Sequence, residues 1–486
     1  MSNGCNQNPI GACSRANGHN TTAGGTASHA EGVNTIASGI AAYAEGISTI
    51  ASGDISHTEG YNTKASGLVS HTEGTGTVAS SNAAHAEGAQ TNASGMVSHA
   101  EGASTLASGI AAHAEGTSTI ASGDVSHAEG TETIASGDFS HTEGAGTTAS
   151  GLASHAEGNG GTASGIAAHA EGAQTNASGM ASHAEGNGTT TNGFAAHAEG
   201  LATHAQGDLS HTEGLDTTVP ADFQNSHIMG RFGDANESNS WFIGNGTSSI
   251  ARGIGAKWSG STFNMFIEGM YLSPEADYAE LFETVDGNQI DVGYFVTVVE
   301  EGKIRKATTN DHFILGITSA TPSLLGNSAG LSWKEKYLTD EWGRKQYHKV
   351  TIPGKKDEKG NILIPEKQEM QPTLNPKWNA NTKYIPRIER PEWVAVGLLG
   401  QVLVRDDGTC EEQGYCLPND KGVATKSKKG YLVLKRTGLN QVLVLITPIQ
   451  KPIKYNLIKR MSSFINNLKN KVDTLLERRF NSKNYN

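Results

Sequence analysis

One 14-residue unit repeats without insertion from Ser28 to Gly214, and it leaves this chain few folds to choose from. Its most constant phrase is Ser/Ala-His-Ala/Thr-Glu-Gly, as in Ser28-His29-Ala30-Glu31-Gly32 and Ser210-His211-Thr212-Glu213-Gly214. Fourteen copies follow one another, and only Tyr43 replaces the histidine, in register. A fixed period this short marks a solenoid, in which each turn buries its neighbours. The unit falls into two seven-residue halves, which raises the coiled coil as an alternative. That alternative fails: nearly every heptad holds a Gly, which costs about 1 kcal/mol in a helix, and there is no paired Leu/Ile seam. Gly at a fixed phase instead suits corners that need positive φ, joined by short β-segments.

Alternation along those segments separates two faces. The residue before the histidine is Ser or Ala and the residue after it is Ala or Thr, so these positions should fill a narrow interior. The other face is expected to carry the histidine, the glutamate two residues on, and the apolar residue two before it (Ala27, Ala41, Ile55, Val69, through Leu209). A thin coil has no room to bury both faces, so packing against further copies of the chain is expected, and a homotrimer is the most economical form.

These repeats resemble the left-handed parallel β-roll heads of trimeric autotransporter adhesins (YadA-like heads) over about residues 20–215. On that resemblance each unit is one turn of about 4.8 Å rise, and the rod is on the order of 65 Å long. The chain departs from those adhesins in showing neither their secretion signal nor their membrane barrel. Stacked His with Glu two residues on is also a donor set for zinc. The plainer reading is a hydrogen-bonded ladder. Tyr43 favours it, because tyrosine bonds well in such a slot but ligates zinc poorly. No metal and no cofactor is expected.

The net charge of −12 argues against a nucleic-acid partner. Cys5, Cys13, Cys410 and Cys416 lack zinc spacing, and their disulfide state stays open. No signal peptide and no apolar run of membrane-spanning length is seen, so a membrane partner is not expected.

Beyond Val219-Pro220 the period is lost, and residues 216–272 read as a connector anchored by Trp241, Phe242 and Trp258. From 273 the composition becomes that of an ordinary globular domain. Strand signals recur at 293–299, 313–319, 393–404, 431–435 and 441–447. The border holds Glu275, Asp277, Glu280, Glu283 and Asp286. Alone, such a cluster reads first as a solvated linker, and its spacing does not fit an EF-hand.

The border and the domain beyond it resemble the self-cleaving C-terminal chaperone domain of phage tail-fibre and neck-appendage proteins, a glutamic-peptidase type. The stretches that carry the likeness include Ala276-Asp277-Tyr278-Ala279-Glu280, Gly293-Tyr294-Phe295-Val296-Thr297, Arg390-Pro391-Glu392-Trp393 and Val404-Arg405-Asp406-Asp407-Gly408, within about 273–448. The resemblance implies a domain that helps three chains assemble and then cuts itself off near Ala276–Asp277. Asp277 and Glu280 would be its acid–base residues. This would be a single-turnover peptidase with no external substrate. One carboxyl activates the attacking group and another protonates the leaving amine.

The expected organisation is all-β, with a left-handed, trimeric parallel β-roll followed by a mainly β domain and a short helix. Its parts are an N-terminal attachment segment and cap (1–27), the β-roll (28–215), the connector (216–272), the self-cleaving chaperone domain (273–450) and a basic amphipathic helical tail (451–486). A 3–4 spacing from Leu457 to Leu475 makes that tail either a trimerising coiled coil or a binder of anionic surfaces. The function expected is a phage or prophage tail-fibre or appendage protein, in the virion or on an extracellular surface, touching a host receptor or glycan. The alternative is a bacterial surface or spore-coat adhesin made of the same modules. A polymer hydrolase is disfavoured, because a rod with many equivalent sites is not a cleft.

Overall fold

The computed structural model describes residues 6–329, 335–356, 362–364, 366–379 and 381–447. The chain divides into two compact units, Met1–Met270 and Tyr271–Asn486. Among the described residues it is nearly all-β, and its helical pieces are two three-residue 3-10 turns, Glu300–Gly302 and Arg387–Glu389. The helix expected within 451–486 lies outside the described residues.

The first unit is a parallel β-solenoid. Each turn contributes two short strands, one to each of two ladders. In one ladder Ala23 pairs with Ala37 and, far along, Ala205 with Val219, always fourteen residues apart, in a 16-stranded sheet. In the other, His57 pairs with His71 and His71 with His85. Backbone amides bond from turn to turn, as where His57 N donates to the Ser70 carbonyl at 2.9 Å. Parallel pairing is not confined to 28–215. It begins with Gln7 opposite Thr21 and runs on to His227 opposite Trp241. The offset becomes sixteen once, at His211 and His227. Two added residues around Pro220–Asp222 are absorbed in a corner, so the ladder survives where the sequence period fails.

The interior is as narrow as the Ser/Ala and Ala/Thr restriction requires. Ala30, Ala44 and Thr58 are fully buried, and Ser28 is 1% exposed. Core hydroxyls turn back onto the backbone, as Ser28 Oγ does to the Gly25 carbonyl at 2.7 Å. Glycine is required by close approach: a Cβ on Gly116, at φ +99°, would stand 2.2 Å from the Gly130 carbonyl oxygen of the next turn.

The apolar residue two before each histidine does not sit on a strand face. Ala41, Ile55, Val125 and Phe139 all have φ between 52° and 59°, so each occupies a left-handed corner. Period-two alternation misplaced them because the chain turns there before the strand begins. In the single chain they project outward, with Ile55 59% and Phe139 62% exposed.

Trp241–Asn245, the last parallel strand, pairs antiparallel on its other edge with Ile254–Trp258, which pairs antiparallel with Met265–Ile267. Antiparallel strands thus cover the open edge of the ladder. Phe242 is buried with Val219, Ile228 and Ala235, whereas Trp241 and Trp258 face each other across strands and stay partly exposed. Arg252 pins the last turns together, bonding Asp216 and Asp234 at 2.7 Å each.

The second unit is built on a ten-stranded sheet. Its central strand, Trp393–Arg405, changes partner midway. Residues 393–400 pair with Asp277–Glu283, and residues 400–405 with Gln441–Ile446. Phe295, Ile317, Val404, Val433 and Val444 form one core and Val296, Ile304, Val394 and Val396 another. The strands expected from sequence are found at Phe295–Val298, Gly316–Thr318, Trp393–Arg405, Tyr431–Gly438 and Gln441–Ile446. The acidic border is no solvated linker, because Asp277–Glu283 is a strand of this sheet.

Two substitutions test the solenoid geometry. Gly116→Ala should cost at least about 2 kcal/mol by thermal unfolding, since it adds both a backbone clash and a disallowed φ. Ser118→Gly, at a left-handed corner of φ 57°, should stay within about 1 kcal/mol of the parent.

Candidate functional site

Two side-chain assemblies carry titratable groups in number. The first is the histidine–glutamate ladder. From His57 to His227 the imidazoles stack face to face, with centroids 4.4–4.9 Å apart. Many rings lie near a glutamate of the preceding turn, as His197 Nε2 does to Glu185 at 3.0 Å and His99 Nε2 to Glu87 at 3.1 Å, while Nε2 of His57, His71, His85 and His155 has no hydrogen-bond partner among the described residues. Tyr43 keeps the pattern by donating to Glu45 at 2.7 Å.

The glutamates also bond to one another. Hydrogen bonds to Glu73 and Glu45 push Glu59 up to about 7, and a bond to Glu73 does the same to Glu87. Glu73, accepting from both neighbours, is lowered. Burial and the adjacent ring hold His57, His71, His85 and His99 below the usual imidazole value.

Triplets such as His183, Glu185 and His197 bring three donor atoms within 4.8 Å of one another. Two donors about 2.0 Å from a tetrahedral zinc ion stand only about 3.3 Å apart. The strand ladder spaces the rings more widely than that. A zinc ion shared by two neighbouring rings would therefore require them to leave their stack, whereas His99, His127, His141, His197 and His211 each bond a glutamate as they stand.

The second assembly surrounds the Ala276–Asp277 bond. In Asp277–Glu283 alternate residues point inward, so Asp277, Ala279 and Leu281 are buried and Tyr278 is exposed. Asp277 is 5% exposed, and its Oδ2 has no hydrogen-bond partner among the described residues. Burial raises its carboxyl above the usual range, against the lowering effect of bonds from the Ser319 hydroxyl and from its own backbone amide. That carboxyl thus sits at the nitrogen of the bond preceding it. Gly397 makes the space, since a Cβ there would lie 2.9 Å from Asp277 Oδ2.

The Asp277 carbonyl accepts from Ser323 N at 2.8 Å, and the Ala276 carbonyl from Gln401 N at 3.3 Å. Glu280 lies on the opposite face of the strand, where it accepts from the Tyr278 hydroxyl at 2.6 Å. One chain therefore does not bring the two expected acids together. Beside the bond opens a cleft of about 530 Å³ lined in part by Glu275, Asp277, Ser319, Gln401 and Lys435. Ser319, Gly397 and Gln401 carried no local sequence signal. They reach the site only because the 393–405 strand folds back beside 277–283.

Comparison with known proteins bears on this second assembly. Residues 222–440 match a family model described as Peptidase_G2, IMC autoproteolytic cleavage domain. The pre-neck appendage protein of Bacillus phage B103 is 35% identical over 176 residues, 35% of this chain and 19% of that protein. The corresponding protein of Bacillus phage phi29 is 39% identical over 150 residues, 31% of this chain and 16% of that protein. Over these stretches the chain is homologous to phage pre-neck appendage proteins, and it spans less than a fifth of their lengths. A crystal structure of the C-terminal fragment of gene product 12 from bacteriophage phi29 is 34% identical. It aligns with 35% of this chain and all of that fragment, at a TM-score of 0.29.

The ladder has a pH signature. The depressed histidines destabilise the fold as pH drops below 6.5, because the unfolded chain then binds more protons. Glu59 and Glu87 act oppositely: their contribution is full below 4.5 and is lost as pH rises through about 7. In a Glu59→Gln/Glu87→Gln double variant the melting temperature should therefore fall more steeply than in the parent between pH 6.5 and 4.5. Chelator should leave the melting temperature of the parent unchanged.

Proposed function

We propose that this chain is a subunit of a trimeric virion appendage or tail fibre of a phage or prophage. In this reading its C-terminal domain assists assembly and cuts the chain once at Ala276–Asp277. The family model and the named relatives support the class. The observation that carries the cleavage is Asp277 itself, a carboxyl 5% exposed beside the nitrogen of that bond, with Oδ2 left without a partner among the described residues and its proton affinity raised by burial.

In the reaction water attacks the Ala276 carbonyl carbon, and the neutral Asp277 carboxyl gives its proton to its own nitrogen as the bond to Ala276 breaks. Glu280, tied by Tyr278, is the second acid–base group and accepts the proton that the attacking water gives up. Because it faces away from Asp277 within one chain, the pair closes on the bond only when chains are packed together. That order makes cutting follow assembly. Asp277→Asn and Glu280→Gln should each slow single-turnover cutting by about 100-fold or more. The parent rate should fall as pH rises past the raised Asp277 value, since the acid must be protonated. Unchanged cutting in Glu280→Gln would remove it from the mechanism.

The solenoid supports the trimer. One corner carries small or polar residues in each turn (Asn34, Asn62, Gly76, Ser118, Ala202), while the other presents an exposed apolar ridge from Ile40 through Ile55, Val97, Val125 and Phe139 to Leu209. A ridge of that length on a soluble rod marks an interface. We assign it to the contact between copies, in a left-handed coil like that of the adhesin heads the repeats resemble. The rod's outer surface is then what meets a host receptor or glycan. Native mass spectrometry should show three copies of the parent. A Val125→Glu/Phe139→Glu variant should be largely monomeric.

A further inference from the structure

The Ala276 carbonyl lies at a singular point in the sheet. Asp277 pairs with Gly400, the residue at which the 393–405 strand leaves one neighbour for the other. Gly400 has φ +106°, a region closed to other residues, and a Cβ there would come within 2.1 Å of the Ala276 oxygen. The next residue turns its backbone amide onto that same oxygen, with Gln401 N at 3.3 Å. On the other side of the bond Ser323 N holds the Asp277 carbonyl at 2.8 Å, so the carbonyls before and after the Asp277 α-carbon are both held.

We propose that the Gln401 amide, presented by Gly400, is the oxyanion donor for the bond's cleavage. The inference rests on the reading that the chain cuts itself at Ala276–Asp277, and it identifies which group bears the charge. When water oxygen bonds to the Ala276 carbonyl carbon, the π pair moves onto the carbonyl oxygen, and the Gln401 N–H receives that negative charge. The pair returns as the C–N bond breaks. The nitrogen takes the proton of the Asp277 carboxyl, the proton that the water gives up passes to Glu280, and the water-derived hydroxyl stays on Ala276. A backbone donor in the sheet needs no reorientation as charge develops, and it shortens its bond as the oxygen becomes anionic. Gly400 is a positioning residue, since any side chain would displace the oxygen from the donor.

The test replaces Gln401 in the full-length chain by its α-hydroxy analogue, which turns the amide N–H into an ester oxygen and leaves the side chain intact. As a control, the same exchange at Val433 removes a comparable strand bond, to the Gly414 carbonyl at 2.9 Å, away from the cleft. The single-turnover rate constant should fall about 100-fold with the ester at 401, the usual loss for one oxyanion donor. It should change less than about threefold with the ester at 433. Gly400→Ala should block cutting as well. Equal slowing at 401 and 433 would reduce the effect to sheet stability and overturn the inference, as would an unchanged rate at 401. A parent chain that is not cut at Ala276–Asp277 would instead overturn the cleavage reading, and this inference with it.

Discussion

Everything in the solenoid depends on the backbone hydrogen bond between one turn and the next, fourteen residues along. That bond fixes the spacing of turns, and the spacing leaves no room for a Cβ where Gly109 or Gly116 passes the carbonyl of the following turn. Once the turns are that close, the interior holds only methyl- and hydroxyl-sized groups, as the Ala, Ser and Thr positions show. The same spacing stacks the imidazoles and brings each glutamate beside its neighbours. The ladder chemistry is thus a consequence of strand spacing, including the alternation of raised and lowered carboxyls.

The repeat was legible in the sequence because a strict period repeats each packing constraint many times. Interior positions, the glycine phase and the parallel register followed from it directly. The corner residues did not. Ile55 and Val125 look like strand-face residues under alternation, and nothing in a β-branched side chain announces a left-handed turn. The coil beyond Val219 was equally hidden, because two inserted residues break a period in sequence without breaking a ladder in space.

In the second unit the strands at 295–298, 393–405 and 441–446 were visible as short apolar runs between turn signals. The acidic border was harder to read, because five acids in twelve residues suggest solvent, yet the alternation Asp277, Ala279, Leu281 puts a carboxyl inside the sheet. Its consequence, a buried carboxyl beside the nitrogen of one peptide bond, depends on the space that Gly397 leaves and on the strand pairing at Gly400. Those residues meet Asp277 only after the long central strand has formed, so no local pattern could identify them.

The two units therefore share a logic in which backbone geometry sets the chemistry. In the first, spacing makes side chains share protons; in the second, a change of partner strand aims an amide and an acid at one bond. The most direct measurement is the mass of the full-length chain's products after cell-free synthesis in oxygen-18 water, read under denaturing conditions. The account predicts two fragments, one ending at Ala276 with oxygen-18 in its new carboxyl group and one beginning at Asp277 that carries label only in its C-terminal carboxyl, from chain release. A chain that stays intact, or products that meet at another bond, would contradict it.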